Sequence, residues 1–304
     1  MISGSDKKLV TVFTPTYNRA QLLERCYESL LKQHNKNFIW QVVDDGSIDE
    51  TPALVESWIS HSKINIEYIK KENGGKASAI NRSLECVKTD LWLCLDSDDY
   101  LIPDAISIIE NRYKEIEQNH NFCGLFSLRG NLFGEPMQGV SIPRSTDSVT
   151  QSEVRYFLKI PPEYAHVFKT SVIRDYKYPL VQGERYFPLS YIFDQIDQSF
   201  RYKVIHRCFM ICEYQESGIT LNKRKLIAKN PIGYMMYKRQ LMMFAPSFKE
   251  RCKAAANYVT ACLLAKRYNP LKNSPNKLLT FFCIPLGVLD YIVRYRLNFN
   301  VRFE

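Results

Sequence analysis

The sequence predicts an α/β fold: a mostly parallel sheet flanked by helices, followed by a helical, basic C-terminal extension. Three observations predict it. From Leu9 onward, short apolar runs alternate with segments whose apolar residues recur at helical spacing, as parallel strands joined by crossover helices require. Three polar segments, 15–19, 44–49 and 96–99, each follow an apolar run directly, and open α/β sheets bind ligands outside the carboxyl ends of their strands. From residue 222 the chain becomes rich in Lys, Met, Ala and Leu and loses its strand-like runs.

The elements follow in order. Residues 9–14 (LVTVFT) are β-branched and apolar and form the first strand. Thr16 or Asn18 is the expected cap of a helix over 19–32, with Leu22, Leu23, Cys26, Leu30 and Leu31 on its apolar face. Residues 38–43 (FIWQVV) form the second strand, which runs into Asp44, Asp45 and Gly46. Asp49 is placed to cap a helix over 51–60, and Pro52 fits its first turn. A third strand covers 64–69. Asn73, Gly74 and Gly75 then form a flexible turn before a helix over 77–87. Residues 91–95 (LWLCL) are the fourth strand, and Pro103 opens a helix reaching 117. Between 122 and 214 the apolar stretches are short and aromatic-rich, as expected of brief strands, loops and a few helices. Residues 278–293 are strongly apolar but contain Pro285, Gly287 and Asp290, whereas a membrane span needs about 20 apolar residues.

Composition narrows the class. With 304 residues, 45% of them hydrophobic, the chain can bury a sizeable core, and 24% charged residues is an ordinary globular share. The nine cysteines lack paired metal-ligand spacing: Cys208 and Cys212, beside His206, have no second close pair to complete a zinc site. They read as reduced thiols, and the polar opening MISGSDKK has no apolar leader, so a cytoplasmic location is expected. The net charge of +9 is uneven: residues 222–304 carry +13 and the remainder −4. Such a tail is expected to meet a polyanion, nucleic acid or anionic lipid. The chain shows no helix-turn-helix, zinc-finger or aromatic RNA-binding motif, which argues against nucleic acid.

The chemistry concentrates at LDSDD. Asp96, Asp98 and Asp99 crowd the exit of a buried strand, where carboxylates repel one another unless a cation sits among them. Hard oxygen ligands suit Mg2+ or Mn2+, which bind through one or two carboxylates plus substrate phosphates. The residues alone leave open a solvated Asp/Ser turn.

TPTYNR (14–19), VVDDGSIDET (42–51), ENGGKASAIN (72–81) and LDSDD (95–99), in that order and spacing, resemble family 2 glycosyltransferases of the GT-A (nucleotide-diphospho-sugar transferase-like) fold. GERYFP (183–188) and EYQESGIT (213–220) are similar to bacterial members that build surface polysaccharides, although Leu189 stands where related sequences often carry Glu. The resemblance implies an inverting, metal-dependent transfer from a nucleotide-sugar donor, UDP-linked by preference. Pro15, Thr16 and Tyr17 would lie along base and ribose. Asp45, with Asp44 as the fallback, would accept a hydrogen bond from the base. Asp96 would touch the ribose or support the metal, and Asp98 would bind the Mn2+ or Mg2+ that bridges the phosphates, with Asp99 nearby. Gly74 and Gly75 would let backbone approach the donor, Lys76 would pair with phosphate, and Asn81 would bond nucleotide or loop. The residues also admit plainer roles: core packing for Tyr17, surface charge for Lys76, a solvated first turn for Arg19, and helix capping for Asp49.

Transfer also needs a carboxylate to take the acceptor proton. Glu184 is the first candidate, because Gly183, Tyr186 and Phe187 are placed to bury it. Asp194 and Asp197 are the alternatives, and a salt bridge is the structural reading of Glu184. The expected domain plan is a GT-A catalytic domain over 1–221, with a nucleotide-sugar half (1–105) and an acceptor half (106–221), and a helical extension over 222–304. That extension is expected to sit on the inner face of the cell membrane, meeting anionic lipid with Lys223, Arg224, Lys225, Lys229, Lys238 and Arg239 and suiting a lipid-linked or glycan acceptor. Two other functions would leave different marks. A nucleotidyltransferase would carry a Gly-rich basic loop after the first strand, where this chain reads PTYNRAQLL; a non-catalytic binder of nucleotide sugars or nucleic acid would lack turnover.

Overall fold

The computed structural model describes residues 7–213 and 223–297. Two compact units are present: Met1–Lys177 with Ser199–Gln215, and Tyr178–Gln198 with Glu216–Glu304. The boundary expected at 221/222 lies outside the described residues. The stretch Tyr178–Gln198, expected in the acceptor half, clusters instead with the C-terminal helices.

In the first unit the expected alternation holds to within about three residues at the element ends. β1 (Val10–Thr16), α1 (Ala20–Leu31), β2 (Phe38–Asp44), α2 (Thr51–His61), β3 (Asn65–Lys70), α3 (Lys76–Cys86) and β4 (Leu91–Cys94) come first. They are followed by β5 (Tyr100–Leu101), α4 (Ala105–Lys114), β6 (Phe122–Leu128), β7 (Ser148–Val149), β8 (Tyr164–Lys169) and α5 (Thr170–Ile173). The eight-stranded sheet has the order β3-β2-β1-β4-β8-β6, then a strand at Arg201–Val204, then β7. The first four strands are parallel, with Val10 opposite Phe38 and Leu91, and Thr16 opposite Asp44. Because β2 and β4 flank β1 on opposite sides, their crossovers diverge there and leave a crevice at the carboxyl ends of β1 and β4.

Alternation along β1 explains the layers. Val10 and Val12 join Leu23, Cys26 and Leu30 of α1 and Ile106 and Ile109 of α4 in one buried cluster. The opposite-facing Phe13 stacks on Trp92, whose indole donates to Ser83 of α3 at 2.8 Å. β8 pairs antiparallel with β4 and with β6. At its end the buried Lys169 ammonium donates to the carbonyls of Ile116, Glu117 and Asn119, placing a cation just beyond the C-terminus of α4.

The second unit holds α6 (Ser190–Ile196). The chain then returns to the first unit for β9 (Arg201–Val204) and β10 (Met210–Ile211), the latter pairing with β5. Four helices follow: α7 (Lys223–Lys229), α8 (Pro231–Phe244), α9 (Phe248–Leu264) and α10 (Lys277–Tyr291). The apolar 278–293 stretch is not interrupted. A continuous helix runs from Lys277 to Arg296, through Pro285 and Gly287. Packing overrides the local breakers: Gly287 lies so close to α9 that a Cβ would meet Val259 Cβ at 2.5 Å, and Thr260 Oγ1 donates to the Gly287 carbonyl at 2.9 Å.

Candidate functional site

Three acid-bearing strand ends meet at the rim of the parallel half of the sheet. Asp44 closes β2 and is fully buried; its Oδ1 accepts from Ser47 N at 2.7 Å and its Oδ2 from the Tyr68 hydroxyl at 2.6 Å. That hydroxyl is held well above its usual pKa range, first by burial and then by the neighbouring Asp44 carboxylate. Asp45, 5% exposed, points the other way along the rim. Its Oδ1 accepts from Lys71 Nζ at 2.7 Å and Gly74 N at 2.9 Å, and its Oδ2 from Gly75 N at 2.7 Å. Gly75 has φ +83°, which favours glycine, and a Cβ on Gly74 would meet Ser78 Oγ at 2.7 Å. The two glycines thus let the chain fold back onto Asp45 and enter α3.

The next residue carries the linkage to the second acid. The Lys76 ammonium bonds Asp96 Oδ1, so the adjacent Gly75 and Lys76 tie the acids after β2 and β4 together. Arg129, just past β6, approaches Asp96 Oδ2 at 3.5 Å, donates to Asp99 Oδ2 at 2.8 Å and to the Tyr164 carbonyl at 3.2 Å. Burial alone would raise the Asp96 pKa, but Lys76 and Arg129 outweigh it and hold the carboxyl down at about 2. Asp99 goes the other way, to about 7: burial raises it, Asp96 and Asp98 add to that, and Arg129 only partly offsets them. The arrangement is one guanidinium shared between two carboxylates.

Asp98 is the most accessible acid of the motif, with 24% of its side chain exposed. Arg19 Nη1 lies 3.3 Å from its Oδ2, while its carbonyl accepts from Arg25 Nη2 at 2.5 Å. Arg25 also pairs with Glu213 at 2.7 Å and lies over the Tyr100 ring, pinning the turn that presents Asp98. At the end of β1, Thr16 Oγ1 is buried with no hydrogen-bond partner among the described residues, and Tyr17 is 45% exposed.

The profile described as "Glycosyl transferase family 2" matches residues 11–168. The chain belongs to glycosyl transferase family 2. A Campylobacter jejuni relative, "GalNAc(5)-diNAcBac-PP-undecaprenol beta-1,3-glucosyltransferase", is 27% identical over 280 residues, covering 86% of this chain and 85% of that protein. Four further curated relatives are longer polymerases and synthases, of whose length this chain spans 10% to 22%. Among solved structures, Staphylococcus aureus TarS 1–349 in complex with UDP-GlcNAc has a TM-score of 0.55 at 18% identity, over 97% of this chain and 94% of that one. Mannosyltransferase PcManGT from Pyrobaculum calidifontis, in complex with GDP-Man and Mn2+, has a TM-score of 0.53 at 16% identity, over 93% and 74% of the two chains. These structural likenesses carry the GT-A-like fold.

In this family 2 member the structure brings Pro15, Thr16, Tyr17, Asp44, Asp45, Gly74, Gly75, Lys76, Asp96 and Asp98 to one rim; Asn81 is buried one turn further along α3. Asp49 accepts from Thr51 N and also from Ala20 N, so it bonds the first turns of both α2 and α1, and neither Thr16 nor Asn18 caps α1. The donor set fits a divalent cation in one manner. Among the described residues Asp98 Oδ1 accepts no hydrogen bond, and no three His, Cys, Asp or Glu side chains cluster as metal ligands, so the remaining ligands would come from phosphate oxygens and water. Asp96 has both oxygens against cations.

Glu184, Asp194 and Asp197 belong to the second unit. Glu184 Oε1 and Oε2 accept from Ile232 N and Gly233 N, both at 2.7 Å, so its carboxylate caps the N-terminus of α8 rather than pairing with Arg185. Asp194 is buried in α6, and Asp197 follows that helix. Arg19, Arg25, Lys71 and Arg129 are further partners of the rim segments, beyond the residues expected from the sequence. Arg19 closes the TPTYNR segment and Arg129 stands directly after the apolar run FCGLFSL, whereas Arg25 and Lys71 carry no such mark in the sequence.

Proposed function

We propose that this chain transfers a sugar, with inversion, from a UDP-linked donor to a lipid-linked or glycan acceptor in bacterial surface glycan synthesis, at the inner face of the cell membrane. One observation carries the reading: Asp45 and Asp96 are coupled through Gly75 and Lys76 at the switch point of a family 2 sheet, with Asp98 accessible beside them. Asp45 retains acceptor capacity on Oδ2 for the uracil N3–H, whereas Asp44 is sealed behind Tyr68 and Ser47. Tyr17 offers its exposed ring to the base, with Thr16 just before it at the end of β1. Lys76 and Arg129 supply fixed positive charge beside Asp96, favouring the diphosphate. A divalent cation held by Asp98, supported by Asp96, would neutralise charge on the departing diphosphate. The staphylococcal and Campylobacter relatives support the donor and acceptor classes, and the Mn2+-bound neighbour supports the metal.

The acceptor hydroxyl must give up its proton to a carboxylate. Glu184 is the first candidate for this role, with Asp194 and Asp197 as alternatives, and its carboxylate already holds two backbone amides of α8. The reading is tested with a panel of nucleotide sugars and Mn2+, followed by thermal shift and by release of free nucleotide. UDP-sugars are expected to raise the melting temperature and to turn over, and Asp98→Asn to lower divalent-dependent turnover roughly 100-fold while the unliganded melting temperature holds. A panel without any stabilising donor, or an Asp98→Asn enzyme as active as the parent, would overturn it.

A further inference from the structure

The outward side of α10 is an apolar stripe one helix long. Leu278, Phe281, Phe282, Leu286, Leu289 and Ile292 recur at three- and four-residue spacing and are all exposed, Leu278 by 70% and Phe282 by 68%. The inward side carries Leu279, Thr280, Cys283 and Gly287, buried against the unit's own core. Over the 20 residues from Lys277 to Arg296 the helix is about 30 Å long. An exposed apolar surface of that extent is unusual on a soluble protein and marks a docking face.

Charge selects the occupant. From Lys266 to Leu297 the sequence holds six Lys or Arg and one acid, Asp290. Lys272 and Lys277 flank the stripe at one end and Arg294 and Arg296 at the other, all exposed. Asp290 is compensated by Thr260 Oγ1 at 3.0 Å and Arg294 Nε at 2.8 Å. Pairing of two copies through this face, parallel or antiparallel, would set cation against cation at both ends, which disfavours a dimer. An anionic bilayer satisfies both features, taking the apolar stripe below the headgroups and the flanking cations among them. Length alone would let the helix cross a membrane. Its inner side argues against that: Gly287 is fitted to α9, and leaving it would take the Thr260 bonds and the Asp290–Arg294 pair into hydrocarbon.

We propose that α10 docks this protein on an anionic membrane by lying in the plane of the interface, outer stripe inserted, inner side still seated on α9. This rests on the membrane-surface part of the function proposed above and gives it a specific helix face. The test is pelleting of the full chain, without donor, on phosphatidylcholine vesicles with and without phosphatidylglycerol. Binding is expected only with the anionic lipid and is expected to fall as salt is raised. Phe282→Asp with Leu286→Asp should weaken it roughly tenfold or more at an unchanged melting temperature. The combination Lys277→Gln, Arg294→Gln and Arg296→Gln, which leaves the stripe intact, should remove the preference for anionic lipid. Equal pelleting of parent and double variant would overturn the proposal. So would a lipid-free dimer that the double variant abolishes, which would assign the face to a second copy, or retention in the pellet after alkaline carbonate extraction, which would mean that the helix spans. Nucleotide release from a water-soluble donor is followed in parallel: if it persists while vesicle binding fails, only the docking face is wrong.

Discussion

At the scale of single residues, this protein shows how a carboxylate's surroundings decide its task. Asp44 and Asp45 are adjacent in sequence, yet one is sealed among internal donors and the other clamps a glycine turn at the rim. Asp96 and Asp99 share Arg129, and their proton affinities are pushed in opposite directions. Glu184 illustrates the same point. Two hydrogen bonds to first-turn amides of α8 are those of a helix cap, and losing a cap costs about 1–2 kcal/mol. Glu184→Ala is therefore expected to lose about that much stability in urea unfolding while donor affinity is retained. A variant as stable as the parent would refute the capping role. The acids themselves were legible in the sequence, because carboxylates after apolar runs are visible as a pattern. Their partners were not: Arg25 lies on a helix 73 residues from Asp98, and Arg129 is 33 residues beyond Asp96. No periodicity encodes a pairing across that distance.

At the scale of elements, the parallel half of the sheet could be read almost strand by strand, since each strand is a short run of β-branched, aromatic or other apolar residues followed by a polar turn. β5, β7 and β10 have two residues each, too few to leave a periodic trace. α10 departs from expectation for the opposite reason. Pro285 and Gly287 are local breakers, and tertiary packing overrules them. Gly287 is needed for that packing, because a side chain there would run into Val259 and the Ala256 carbonyl, at 2.6 Å for a Cβ. Gly287→Leu is expected to cost about 1–3 kcal/mol by overpacking, read as a lowered urea midpoint. No change in midpoint would mean that α10 and α9 are not in contact in solution.

At the scale of the whole molecule, the sequence disclosed an uneven distribution of charge, with +13 beyond residue 221. It did not disclose that the Tyr178–Gln198 stretch clusters with those helices, because such grouping depends on contacts distant in sequence. Acid tolerance is a further property of the assembled chain. His166 on β8 sits among Phe126, Phe168 and Tyr202, and burial, aided by Arg129 and Arg155, lowers its pKa from 6.5 to about 3. The unfolded chain therefore takes up a proton from about pH 6.5 downward that the folded chain refuses until about pH 3. Stability from this group is intact above pH 6.5 and falls through that window by up to about 1.4 kcal/mol per pH unit. His166→Phe should lose less stability than the parent between pH 7 and pH 5, and parallel losses in the two proteins would remove His166 as the cause.

The order of strands has one more consequence. β8 runs against β4 and β6 runs against β8, so the direction is restored twice over, and β6 and β9 end on the same edge as β1 and β4. Arg129 reaches the acids by this route, and the excursion after it, with Leu132 and Phe133 open to solvent, departs from that same edge. The excursion leaves the sheet at Gly130, which bonds Met210 and Cys212, and returns to it at Asp147, whose carboxylate pairs with Lys203 at 2.7 Å and whose carbonyl accepts from Val204 N at 2.9 Å. Fastened at both ends in this way, the loop can present Leu132 and Phe133 to solvent without loosening the strand that delivers Arg129.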